Sequence, residues 1–157
     1  MIFQKILVAL DGSEHSKRSL ETAIEIAKNL NSKLVLFTVH HDTLAPVTSP
    51  EMTVHLSGTI PDGPSPGLAE MVNEAAHDYD KKFLAEDEAK VRSEGIEVET
   101  ELAEGDAVTE IVKKSKEGKF DLIIMGARGM STIKKIFIGS VSDGVIKKAP
   151  CPVLVVK

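Results

Sequence analysis

Short apolar runs alternate along this chain with stretches whose apolar residues recur at helical spacing, and that alternation is its strongest constraint. The runs Ile2–Leu10, Lys33–His40, Ile96–Ala103, Asp121–Met125 and Pro152–Val156 read as strands, the third more polar than the rest. Ser13 offers an N-cap to a first helix with Leu20, Ala23, Ile24, Ala27 and Leu30 as its apolar positions, ended by Asn31. Leu68–Arg92 reads as a long helix with Leu68, Met71, Val72, Ala75, Tyr79 and Phe83 on one face, and Gly95 at its C-terminal cap. A helix over 106–117 is led by Asp106 and closed at Gly118, and Val141–Lys148 is a short last helix. Strand–helix alternation predicts an α/β fold: a parallel sheet with right-handed crossovers and helices on both faces. At 157 residues, one domain over 1–157 is expected.

The loop after the fourth strand carries the functional signal. Gly126-Ala-Arg-Gly129, nine residues, then Gly139-Ser140 join an apolar strand to a helix N-terminus. Glycines let backbone approach a ligand, and the unpaired N–H groups of a first helical turn point at an anion. The Ser140 hydroxyl adds a donor. The alternative is turn punctuation with a serine cap. Two other phosphate loops are excluded. A P-loop needs Gly-Lys followed by Ser or Thr, which is absent, and the first turn, Leu10-Asp11-Gly12-Ser13, has one glycine where a dinucleotide fingerprint needs several.

The spacing Gly126-x2-Gly129-x9-Gly139-Ser140 resembles the ATP-binding branch of the universal stress protein family. The first-strand end Ile6–Ser13 and the last strand Pro152–Val156 fit as well. The resemblance covers residues 1–40 and about 95–157. It implies a Rossmann-like, adenine nucleotide alpha hydrolase-like sheet with strand order 3-2-1-4-5, which makes strands one and four neighbours. It also implies ATP with Mg²⁺ or Mn²⁺ at Ala9, Leu10, Asp11, Val39, Met125, Gly126, Arg128, Gly129, Gly139, Ser140, Val141 and Ser142. Asp11, at a strand end, would face the ribose or a phosphate-bound cation, or be an ordinary Asx turn. Val39 matches the position whose backbone meets the adenine edge. Arg128 is either a phosphate partner or a solvated surface arginine.

Charge and composition narrow the classes. A net charge of −5 without a basic block argues against nucleic-acid or membrane-surface binding. No apolar run is long enough to span a bilayer, the N-terminus lacks a signal-peptide pattern, and a single cysteine suits a reducing cytoplasm. Cys151, between Pro150 and Pro152, reads as a small buried hydrophobe. His40, His41 and His55 match no zinc spacing and read as solvated loop histidines. Segment 41–67 holds five of the seven prolines, too irregular for a regular element, and reads as a long mobile or functional loop, or as a disordered insertion.

Two functions follow. The first is an ATP-binding regulatory or stress-response protein acting through conformation or an unidentified protein partner. The second is a slow ATPase or a nucleotidyl- or phosphoryl-transfer enzyme. The enzyme needs a base beside the γ-phosphate; no Ser-His-Asp set or paired carboxylates supply one, and His15 and Ser16 read as surface residues of the first helical turn. The uniformly apolar last strand, at a sheet edge in that order, predicts a homodimer through residues 152–157.

Overall fold

The computed structural model describes residues 2–41, 66–129 and 138–157. Five strands form one parallel sheet: β1 (Lys5–Ala9), β2 (Lys33–His40), β3 (Val98–Glu104), β4 (Leu122–Gly126) and β5 (Val153–Val156). Their order is β3-β2-β1-β4-β5, as expected, and each neighbouring pair is parallel. Four helices are described: α1 (Glu14–Leu30), α2 (Pro66–Ser93), α3 (Ala107–Glu117) and α4 (Ser140–Lys148).

The alternation of side chains along each strand splits the core in two. Ile6, Val8, Leu34, Leu36, Leu122 and Ile124 face α1 and the C-terminal half of α2. Leu7, Ala9, Val35, Phe37, Ile123 and Met125 face α3 and α4. Burial on both faces explains why β1, β2 and β4 are continuous apolar runs rather than alternating ones. The first strand is shorter than its apolar run. Phe3 takes a left-handed φ of 63°, and the Asp121 carboxylate accepts from the N–H groups of Gln4 and Lys5, each at 2.9 Å, so ordered pairing begins at Lys5.

Capping residues act as read from the sequence. The Ser13 hydroxyl accepts from Ser16 N–H, Asp106 accepts from Thr109 N–H, and Asn31 ends α1 in the left-handed conformation. The long helix departs from its pattern. Leu68, Met71, Val72, Ala75 and Tyr79 are exposed, and only Phe83 of that stripe is buried. The N-terminal half of α2 instead turns Asn73, Ala76, His77 and Asp80 toward the sheet end. The segment read as a long loop falls, from 42 to 65, outside the described residues.

Candidate functional site

A cleft of about 550 Å³ opens beyond the carboxyl ends of β1, β2 and β4. Ligands in open parallel sheets bind there, and the volume suits a small molecule. All twelve residues expected to face the nucleotide line it. Phe37, Ala107 and Ile111 add apolar wall on the α3 side; Ser16, Thr38, His40, Ala76 and Asp80 add wall on the α1 and α2 side.

Asp11 follows the last β1–β2 bond, from Leu10 N–H to Phe37 O at 2.9 Å. Its Oδ1 accepts from Ser13 N–H at 2.9 Å, while its own N–H donates to Ser16 Oγ at 3.2 Å. Asp11 is thus an Asx turn whose second oxygen, Oδ2, remains for the cleft. Ser16 is 3 % exposed and holds this turn, so it is no surface residue.

Gly126 and Gly129 leave room for different neighbours. A methyl group on Gly126 would meet His15 Cβ at 2.7 Å and the His15 carbonyl carbon at 2.9 Å; its missing side chain admits the start of α1. A methyl group on Gly129 would meet Asp11 Oδ2 at 2.6 Å, inside the cleft. Ala127 ties the loop down. Its N–H donates to Val156 O at 2.7 Å, and its carbonyl accepts from Gly139 N–H at 2.6 Å and from the Ser142 hydroxyl at 2.9 Å. The Ser142 side chain, 2 % exposed, is therefore committed to the loop, and what it offers a ligand is its backbone N–H.

α4 has Gly139 at its N-cap and so no side-chain cap, unlike α1 and α3. The N–H groups of Ser140, Val141 and Ser142 are those a helix leaves unpaired, and they border the cleft with the positive end of the helix dipole. Arg128 lines the same rim, half-buried. At the other end, Leu34 N–H and His40 O bond toward β3 while Phe37 O bonds toward β1. Val39 therefore directs its N–H and C=O to the β1 side, past the point where β1 ends.

His40 corrects the sequence expectation. It is 4 % exposed, with Nδ1 2.7 Å from Asp80 Oδ2 and Nε2 2.9 Å from Asn73 Oδ1. Burial alone would lower its pKa, but the two oxygens on its ring nitrogens hold it above the ordinary histidine value. His77 packs edge-on against it, ring centroids 5.1 Å apart. His41 is exposed, and His55 lies outside the described residues. Beyond His40 a polar cleft of about 720 Å³ is lined by carboxylates and histidines of α2 and the β3 end. Among the described residues no three His, Cys, Asp or Glu side chains are arranged to hold a metal ion. Cys151 is half-buried against the α3–α4 side of the core, and burial raises its thiol pKa. No described helix is long and apolar enough to cross a membrane.

Sequence spacing does not mark Thr38, His40, Ala76 and Asp80 as cleft residues. Thr38 and His40 carry a faint signal, being polar residues at the end of an apolar strand. Ala76 and Asp80 carry none, because their distance from the sheet is set by how α2 docks.

Residues 2–157 match the model of the universal stress protein family. The universal stress protein YxiE of Bacillus subtilis is 32 % identical over 156 residues, covering 99 % of this chain and 100 % of the relative. The structure of universal stress protein UspA from Lactobacillus plantarum superposes with a TM-score of 0.80 at 21 % identity, covering 100 % of this chain and 99 % of that one. The universal stress protein from Archaeoglobus fulgidus in complex with dAMP superposes with a TM-score of 0.60 at 25 % identity, each chain fully covered. With its sheet order, its glycine spacing and a family match over almost its whole length, the chain belongs to the universal stress protein family.

Proposed function

We propose that this protein binds ATP in the cleft and acts as a nucleotide-dependent regulatory or stress-response protein, through its conformation or its choice of partner. The observation that carries this reading is the N-terminus of α4, which has no side-chain cap and whose first-turn N–H groups border the cleft beside Gly129 and Asp11. The dAMP complex of the Archaeoglobus fulgidus relative supports an adenine nucleotide here. In this reading the phosphates lie on Gly129 and the Gly139–Ser142 turn, with Arg128 beside them. Asp11 Oδ2 faces the ribose or a Mg²⁺ or Mn²⁺ ion that arrives with the phosphates. The base lies against Phe37, Ala107 and Ile111, its edge on the backbone of Val39. The chain acts as one domain in a homodimer joined through β5, and its single cysteine suits a reducing cytoplasm.

Mass spectrometry of gently purified protein, followed by calorimetric titration of nucleotide-free protein with ATP and Mg²⁺, tests the assignment. Co-purified adenine nucleotide and saturable binding are expected. A preparation without nucleotide that also gives no binding heat refutes it.

A further inference from the structure

Three residues at the exit of β1 close a ring of hydrogen bonds in which each gives its main-chain N–H to the side chain of another. Asp11 N–H donates to Ser16 Oγ at 3.2 Å, Ser16 N–H to Ser13 Oγ at 3.2 Å, and Ser13 N–H to Asp11 Oδ1 at 2.9 Å. Two of these bonds have a plain local purpose, since one caps α1 and the other is the Asx turn. The bond from Asp11 to Ser16 is neither, and it joins the strand exit to the first turn of the helix.

The sheet explains where that bond comes from. Leu10 N–H goes to Phe37 O on β2, so the next N–H along the strand, that of Asp11, turns to the β4 side. Pairing between β1 and β4 ends at Ala9 and Met125. Beyond it the start of α1 takes the space that Gly126 leaves, with His15 Cβ against the place of its missing side chain. Ser16 follows His15 and supplies the acceptor that a strand partner would have supplied. Gly12, at φ 79°, turns the chain between strand and helix.

This ring also orients a ligand group. Asp11 is exposed, so packing does not fix its carboxylate. Ser16 sets the peptide plane from which the side chain leaves, and Ser13 holds Oδ1. Oδ2 is thereby left beside Gly129 in the cleft. A carboxylate oriented before binding spares the ligand the entropy of ordering it.

We infer that Ser16 is a positioning residue for the cleft ligand, acting through the main chain of Asp11. This rests on the nucleotide reading above and adds to it the residue that presets the Asp11 carboxylate. The test is a double-mutant cycle: wild type, Asp11→Ala, Ser16→Ala and the double variant are titrated with ATP and Mg²⁺, and the thermal midpoint of each ligand-free protein is recorded. Asp11→Ala is expected to weaken ATP by about tenfold, the scale of a hydrogen bond to a charged group. Ser16→Ala should weaken it by about three- to tenfold through the loosened carboxylate. In the Asp11→Ala background the same change should alter affinity by less than about twofold, because nothing is left to position. The midpoint behaves differently. Ser16→Ala leaves the residue-11 N–H without its acceptor whether that residue is Asp or Ala, so it should lower the midpoint in both backgrounds.

Equal weakening of ATP by Ser16→Ala in the two backgrounds overturns the inference, because the serine would then act on the fold and not through Asp11. Wild-type affinity in Ser16→Ala overturns it too, as does wild-type affinity in Asp11→Ala. Ser16→Cys, which keeps the volume and offers only a weak acceptor, carries the same cycle where Ser16→Ala folds poorly. Wild-type protein that binds no ATP refutes the nucleotide assignment itself and is distinguished by that result.

Discussion

Gly126 and Gly129 are three residues apart, and the space beside each is claimed by a different neighbour. Backbone and Cβ of His15 fill the space at Gly126, and neither can retreat without moving α1. Gly126→Ala should therefore cost about 1–3 kcal/mol, the usual range for overpacking, visible as a lower denaturation midpoint. Gly129 has no positive φ, and the group nearest its missing Cβ is the free end of the Asp11 side chain, which can swing aside. Gly129→Ala should leave the midpoint unchanged while weakening ATP by about tenfold or more through lost backbone approach. Equal stability losses in both variants would remove the distinction. Sequence spacing marks both glycines alike, because a motif records where glycine occurs and not what fills the space it leaves. The burial of His40 is hidden from sequence for a related reason. At the end of an apolar strand it reads as the start of a solvated loop, and only the docking of α2 brings Asp80 and Asn73 to its two nitrogens.

The two halves of α2 meet different surroundings. Phe83, Leu84 and Val91 pack into the core, whereas the first half turns Asn73, Ala76, His77 and Asp80 toward the sheet end. Helical period was legible over the whole segment, but its buried face was not, since the inward stripe is polar where it borders the clefts. His40 joins that half of α2 to β2, which makes the join sensitive to pH. Folded His40 holds its proton more tightly than the unfolded chain does. Its contribution is fully present below the ordinary histidine pKa, near 6.5, and is lost as pH rises through the raised folded value. Asp80, Glu104, His77 and His41 surround it, so the histidine-specific part must be isolated by comparison. The wild-type thermal midpoint should fall more than that of His40→Gln between about pH 6 and pH 8; parallel profiles would contradict it. The join of α4 to the sheet is neutral by contrast. Ser142→Ala removes the hydroxyl bond to Ala127 O and should cost about 0.5–1.5 kcal/mol in urea unfolding, equally at both pH values.

Among the described residues the sheet ends in two edge strands of opposite character, β3 and β5. Strand order was expected from family resemblance rather than periodicity, since alternation fixes parallel pairing but not which strand lies where. The β3 edge carries Glu99, Glu101 and Glu104, partly engaged by Lys33 and Lys114 of its own chain, and a second copy would bring like charges together. The β5 edge, Val153–Val156, has no charge and only partial burial on either face. Ile123 N–H bonds to Pro152 O at 3.0 Å and Ala127 N–H to Val156 O at 2.7 Å, so residues 152, 154 and 156 turn their main chain toward β4. Val153 and Val155 then turn theirs outward. An antiparallel copy across a two-fold axis would pair those groups and close the edge, which is the homodimer proposed above. Leu154 is a poor site to test it, because its side chain packs on the α1 side of the core. Val155→Pro is the sharper probe: it deletes an outward N–H while leaving the bonds to β4 in place, the setting in which proline is tolerated on an edge strand. Light scattering at about 10 μM should report a dimer for the wild type and a monomer with native circular dichroism for Val155→Pro. A wild type that is monomeric there, or a folded variant that remains dimeric, would place the contact elsewhere or nowhere on this edge.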